Sequence, residues 1–154
     1  MTEPVARAEM MICKPPAEVF EAFANPAITS HFWFTGGSGR LEEGAKVRWE
    51  WANYGVTIDA EVKAVEPGRR ILVEWSGYGY PTPIEWTFKP IADGHTFVTI
   101  THRGFKGTAE EKMKMAIDAT EGFTFTLAGA KIWLEHGIEP HFVRDRHPKG
   151  LKAE

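Results

Sequence analysis

The chain has 154 residues, a length that suits one domain with one sizeable core rather than a catalytic domain joined to a separate cofactor module. Eighteen Lys and Arg against 21 Asp and Glu leave a formal net charge of -3, far from the basic footprint that a phosphate backbone requires, so nucleic acid is not the expected partner. With 43% hydrophobic and 25% charged residues, the composition speaks against disorder and against a membrane span.

Taken in chain order, Ala6, Ala8, Met10 and Ile12 alternate with Arg7, Glu9 and Met11, which predicts a first strand between Val5 and Lys14 with one buried face. Pro15 and Pro16 stop it. Val19, Phe20 and Phe23 then recur at helical spacing until Asn25-Pro26, and a second short helical piece is expected from Pro26 towards His31, before Phe32-Trp33-Phe34 and the turn Gly36-Gly37-Ser38-Gly39. A brief strand is expected at Gly39 to Leu41. Five extended segments follow, at Lys46 to Asn53, Val56 to Glu66, Arg69 to Ser76, Pro83 to Ile91 and Thr96 to Arg103. The separators Asn53-Tyr54-Gly55, Pro67-Gly68, Gly77 to Pro81 and Asp93-Gly94 are short turn signals, so neighbouring strands should run antiparallel.

After Gly107 the period changes. Met113, Ile117, Thr120, Phe123, Leu127, Ala130 and Leu134 are spaced by three or four and predict one buried stripe on a long helix. Thr108 with Glu111 is a capping-box signal, His136-Gly137 closes the helix, and Gly122 suggests a kink or restart. Residues 138–154, with Pro140, Pro148 and many charges, read as a weakly specified tail to a single domain whose core spans 5–137. The fold class is therefore α+β, with a six- to seven-stranded antiparallel sheet, two short helices after the first strand and a long C-terminal helix.

The strand faces locate the candidate site. Val47, Trp49 and Trp51 share one face, as do Ile71, Val73 and Trp75, then Ile84, Trp86 and Phe88, then Val98, Ile100 and His102. Four tryptophans thus crowd the inner face, each able to bury up to about 250 Å². A single helix is a narrow lid for so wide a surface, and a curved sheet around it would leave a space of the kind that holds a small molecule. The same pattern serves a filled core. The candidate ligand-binding residues are Trp49, Trp51, Trp75, Trp86, Val98, Ile100, His102, Phe123 and Leu127, with Trp33 near an entrance.

His102 is the one titratable residue on the inner stripe, able to give or accept a hydrogen bond, while Asn53 and Thr120 are the only weak polar candidates to accompany it. Glu50, Asp59, Glu61, Glu74 and Glu85 fall mostly on the outer face, so no carboxylate pair for acid-base work is indicated. His136, His141 and His147 lack a rigid ligand spacing, and Gly36 to Gly39 lacks the lysine and helix of a phosphate-binding loop, so neither a metal nor a cofactor is expected. No catalytic residue is assigned. Cys13 alone makes no internal disulfide, and Met1 to Pro4 opens no apolar leader, which predicts a cytoplasmic location.

The segment order resembles the helix-grip fold of the START and Bet v-like superfamily, often called SRPBCC, and within it the family of the C-terminal domain of the heat-shock ATPase activator. The resemblance covers residues 5–137 and rests on Pro15-Pro16-Ala17-Glu18-Val19-Phe20-Glu21-Ala22-Phe23, His31-Phe32-Trp33-Phe34, Val98-Thr99-Ile100-Thr101-His102-Arg103-Gly104-Phe105, and Gly122-Phe123 with Leu127 and Leu134. It implies a curved sheet wrapped around the long helix, with a hydrophobic cavity between them for lipid-like, polyketide-like or aromatic ligands. The leading expectation is a binding protein for a small hydrophobic molecule. The alternatives are a cyclase or dehydratase using the same cavity with His102 as proton carrier, and a chaperone-interacting module; a chaperone or a second copy of the chain are the macromolecular partners left open.

Overall fold

A computed structural model describes residues 2–148. Strand β1 (Ala6–Ile12) is followed by helices α1 (Pro16–Ala24) and α2 (Pro26–Thr29), then by β2 (Gly36–Gly37), β3 (Lys46–Trp51), a 3-10 turn (Ala52–Tyr54), β4 (Val56–Glu66), β5 (Arg70–Trp75), β6 (Thr82–Ile91), β7 (His95–His102), α3 (Ala109–His136) and α4 (Phe142–Arg146). The seven strands form one antiparallel sheet in the order β1-β7-β6-β5-β4-β3-β2, curled around α3 as a half-barrel. The register places Ile84 opposite His102, Trp86 opposite both Ile71 and Ile100, and Trp49 opposite Ile58. A register shift between Val62 and Ala64 interrupts the β4–β5 ladder, the kind of irregularity that bends a strand.

Local chemistry explains the helix ends. Asn25 ends α1 and starts α2, its Oδ1 accepting from the Ala27 N–H at 3.0 Å, while the buried Thr29 hydroxyl donates to the Ala22 carbonyl at 2.6 Å and ties the two helices together. At α3, Thr108 Oγ1 accepts from the Glu111 N–H at 3.1 Å and Glu111 Oε1 accepts from the Thr108 N–H at 2.8 Å, the expected capping box. Gly137, with φ of 67°, closes the helix in the left-handed conformation.

Three expectations change. Helix α3 runs through Gly122 without restarting, because one glycine inside a helix held by neighbours on both sides weakens it by only about 0.5 to 1 kcal/mol. The brief strand falls at Gly36–Gly37 instead of Gly39 to Leu41; Leu41 is buried and its N–H donates to the Ala24 carbonyl at 2.9 Å, so it is already committed to α1. The buried stripe of α3 is rotated in its first turns. Met113 and Ile117 are 52% and 63% exposed, and Ala116 and Ala119 face inward in their place. Small side chains there, opposite Ala6 and Ala8 of β1, permit close approach between helix and sheet.

The expected tail is partly structured: Phe142 packs on Phe125 with ring centroids 6.4 Å apart, and Arg146 pairs with Glu121. Residues 149–154 of that tail lie outside the described residues.

Candidate functional site

The concave face of the sheet mixes aliphatic side chains with the rings of Trp49, Trp51, Trp75, Trp86 and Phe88. Trp33, from the α2–β2 connection, projects into it and lies with its ring centroid 5.0 Å from Trp49, 5.7 Å from Trp51 and 5.8 Å from Phe123. Beside it a cavity of about 150 Å³ is lined by Trp33, Trp51, Val56, Ile58, Trp75, Tyr78, Asp118, Ala119, Gly122, Phe123, Val143 and His147. Four of the sequence candidates, Trp33, Trp51, Trp75 and Phe123, therefore meet at one hollow. The other six, Trp49, Trp86, Val98, Ile100, His102 and Leu127, are buried behind that wall. Trp33 packs into the interior cluster and also lines a second, outer hollow.

Several lining residues escaped the sequence reading. Val56 and Ile58 continue the inner-face alternation of β4 towards Ala60 and Val62, a signal that was available. Tyr78 lies in the β5–β6 loop, and Val143 and His147 belong to the C-terminal segment, where periodicity carries no information. A larger hollow, of about 470 Å³, lies on the outer side of β3, β4 and β5 against Lys46, Arg48, Asp59, Glu61 and Glu74, where Arg48 and Asp59 already pair at 2.9 Å. It is a solvated groove bounded by charged side chains.

Electrostatics around the cavity favour neutral groups. Tyr78 is pushed up to about 12, first by burial and then by the nearby Asp118 charge and Tyr80, so its phenol stays protonated. Burial lowers His102 to about 4, so its imidazole is neutral near pH 7. Four rings enclose it, Trp75, Tyr78, Phe105 and Phe123, with centroids 5.0 to 5.8 Å away. Its Nε2 lies 2.7 Å from Thr82 Oγ1, which is also 3.4 Å from the Trp75 carbonyl. With the Thr82 hydroxyl donating to that carbonyl, Nε2–H donates to Thr82 and Nδ1 keeps a lone pair without a protein partner. Asn53 lies instead on the far side of Trp33, and Thr120 donates its hydroxyl to the Ala116 carbonyl at 2.7 Å, so neither accompanies His102.

The indole N–H groups of Trp51, Trp75 and Trp86 are buried and also have no hydrogen-bond partner within the protein. Buried donors are ordinarily paired, so three unpaired ones are unusual; Trp51 and Trp75 line the cavity and Trp86 lies behind it. Among the described residues no group of three or more His, Cys, Asp or Glu is arranged to hold a metal ion, and no helix is long and apolar enough to cross a membrane.

A curled antiparallel sheet gripping a long C-terminal helix is the helix-grip fold of SRPBCC proteins. A family model described as activator of Hsp90 ATPase homolog 1-like protein matches residues 14–131, and the chain belongs to that family. Among solved structures it is similar to protein SSP2350 from Staphylococcus saprophyticus, at 27% identity and a TM-score of 0.75, over 88% of this chain and 94% of that one. It is also similar to DynU16, a protein of the dynemicin biosynthetic locus, at 25% identity and a TM-score of 0.77, over 90% of this chain but 49% of that one. The Aha1 dimer from Colwellia psychrerythraea shares the fold at 18% identity and a TM-score of 0.74, over 89% of this chain and 98% of that one. No curated protein matches significantly.

Proposed function

We propose that this chain is a binding module for a small aromatic molecule that carries hydrogen-bond acceptors, held between Trp51, Trp75 and Phe123. One observation carries the reading: a cavity of about 150 Å³ walled by aromatic rings, two of whose tryptophans have indole N–H groups without a partner in the protein. An apolar cavity of that order takes one benzene-sized ring. The indole N–H groups are closed to the cavity as the rings stand, so an acceptor atom on the ligand recovers the cost of an unmatched buried donor, about 1 to 3 kcal/mol, by turning an indole towards it. A lipid or polyketide needs more room, which displacement of Trp33 would provide. The similarity to DynU16, from a biosynthetic locus, supports a small-molecule role, and a cytoplasmic location is part of the same proposal.

The test is a titration with one-ring ketones and esters, read by tryptophan fluorescence and melting temperature. A fitting ligand at a hundred times its Kd raises stability by about 2.7 kcal/mol. Trp51→Phe, which keeps a ring and removes the N–H, should weaken binding by about three- to tenfold. If the whole panel leaves both signals unchanged, the cavity is only a packing defect and the reading fails.

A second reading, a docking module for a protein partner, is favoured by a different feature. Pro4, Val5, Met113 and Ile117 surround an open hollow of about 400 Å³ on the outer side of α3, and Val5, Met113 and Ile117 are exposed there. The family description, which names Hsp90 ATPase activation, and the dimeric Colwellia neighbour fit that reading. An Ile117→Arg variant that loses heat-shock ATPase stimulation while keeping small-molecule binding would assign the docking role to this surface.

A further inference from the structure

Two hollows meet at Trp33. Beyond its indole lies an outer hollow of about 260 Å³, bounded among others by Asn53, His141 and Arg144. Trp33, Trp51 and Val143 line both spaces, so a ring in the inner cavity lies one side-chain thickness from the outer one. Their chemistry differs. The inner cavity is apolar except at Asp118, Tyr78 and His147, whereas the outer hollow carries the Arg144 guanidinium, the Asn53 amide, the His31 and His141 imidazoles and the Glu139 carboxylate. Arg144 gives its Nε–H to Asp145 at 2.9 Å, which leaves four of the five guanidinium donors for another acceptor. Glu139, the acidic residue of the outer wall, is engaged by His31 Nδ1, and His31 is in turn stacked on Trp133 with centroids 3.9 Å apart.

We propose that the outer hollow is a carboxylate subsite and that the ligand is a single-ring aryl acid with a short chain, of the arylacetate or arylpropanoate kind. The inference rests on the ring-binding reading above and names its ligand class. The ring occupies the inner cavity, the two- or three-bond chain passes the edge of Trp33 beneath Val143, and the carboxylate lies beside Arg144 and Asn53. Each hollow carries one carboxylate, Glu139 outside and Asp118 inside, and Arg144, which lines only the outer hollow, fixes the direction. Arginine suits the role because its planar donors match the two oxygens of a carboxylate.

The experiment compares 3-phenylpropanoate with the neutral 3-phenylpropanamide by calorimetry on the intact chain. The acid is expected to bind about tenfold or more tightly at low ionic strength, with the preference shrinking as salt rises. Arg144→Met, an exposed position whose loss leaves the core intact, should bring the two within about twofold of one another. Equal binding of acid and amide by the unaltered protein, or a preference that survives Arg144→Met, overturns the carboxylate subsite while the ring site stands. If neither compound binds, the ring-binding reading falls and the subsite falls with it.

Discussion

The two ends of the concave face are built from the same residue types and have opposite outcomes. At the closed end His102, Ile84, Trp86, Ile100 and Leu127 are each at most 1% exposed, and His102 lies behind the rings of Trp75, Tyr78 and Phe123 that border the hollow. Around Trp51, Val56 and Ile58 the helix presents Ala119 and Gly122, and the space they leave is occupied only in part by Trp33. Aromatic content therefore does not decide whether a sheet face is core or binding site. The size of the residues on the covering helix does, since interiors pack to crystal-like density only where side chains can reach across.

The largest effect that separates the ends is truncation at the closed one. Leu127 is 0% exposed, so Leu127→Ala should destabilise the protein by about 2 to 5 kcal/mol in urea denaturation. Ile117→Ala removes an equally apolar side chain from the rotated, outward face of the same helix and should cost less than about 0.5 kcal/mol. Equal losses would mean that the expected stripe of Met113 and Ile117 is buried after all.

A somewhat smaller effect follows from titration of the closed end. His102 in the folded protein binds its proton near pH 4, whereas an unfolded chain binds it near 6.5. Above pH 6.5 both states are neutral at this residue and it contributes no pH dependence. As pH falls from 6.5 to 4 the unfolded state takes up a proton that the folded state refuses, so stability drops by up to about 3 kcal/mol. Denaturation curves between pH 7 and 4.5 should show this slope, and His102→Gln should flatten it. Glu21, whose carboxylate is lowered mainly by its hydrogen bond from Arg40, loses its contribution in a more acidic window.

Much of this architecture was legible in the sequence. The strand alternation, the Pro67-Gly68 and Asp93-Gly94 turns and the Thr108–Glu111 capping box are local signals, and local chemistry fixed those elements to within a residue or two. The site was legible only as a set of faces. Trp51, Trp75 and Phe123 were identifiable because alternation and helical spacing assign side chains to the interior. Whether they enclose a space depends on distances between elements, which no periodicity encodes. The phase of α3 misled for a related reason: Met113 and Ile117 recur at helical spacing as core residues do, but alanines made the closer approach. Val143 entered the cavity wall from a segment whose prolines and charges hid a short helix.

The smallest effect is also the sharpest comparison, because it sets two glycines of one helix against each other. Gly122 lines the hollow, and a Cβ built there meets nothing within 4 Å. Gly122→Ala should therefore stabilise the protein by about 0.5 to 1 kcal/mol, the helix-propensity gain over glycine. At Gly129 a Cβ lies 3.1 Å from the Cβ of Phe32 and 3.2 Å from its carbonyl oxygen. Phe32 is buried and its backbone is held by the N–H donated to Thr29 O at 3.1 Å, so it has little freedom to retreat. Overpacking there should outweigh the same propensity gain and leave Gly129→Ala destabilised by about 1 kcal/mol. Parallel denaturation of the two variants reads the sign directly. Two stabilised proteins would mean that Phe32 yields and that its packing against Gly129 is looser than the contacts imply; two destabilised proteins would mean that the space beside Gly122 is already filled, and the cavity argument would lose its ground.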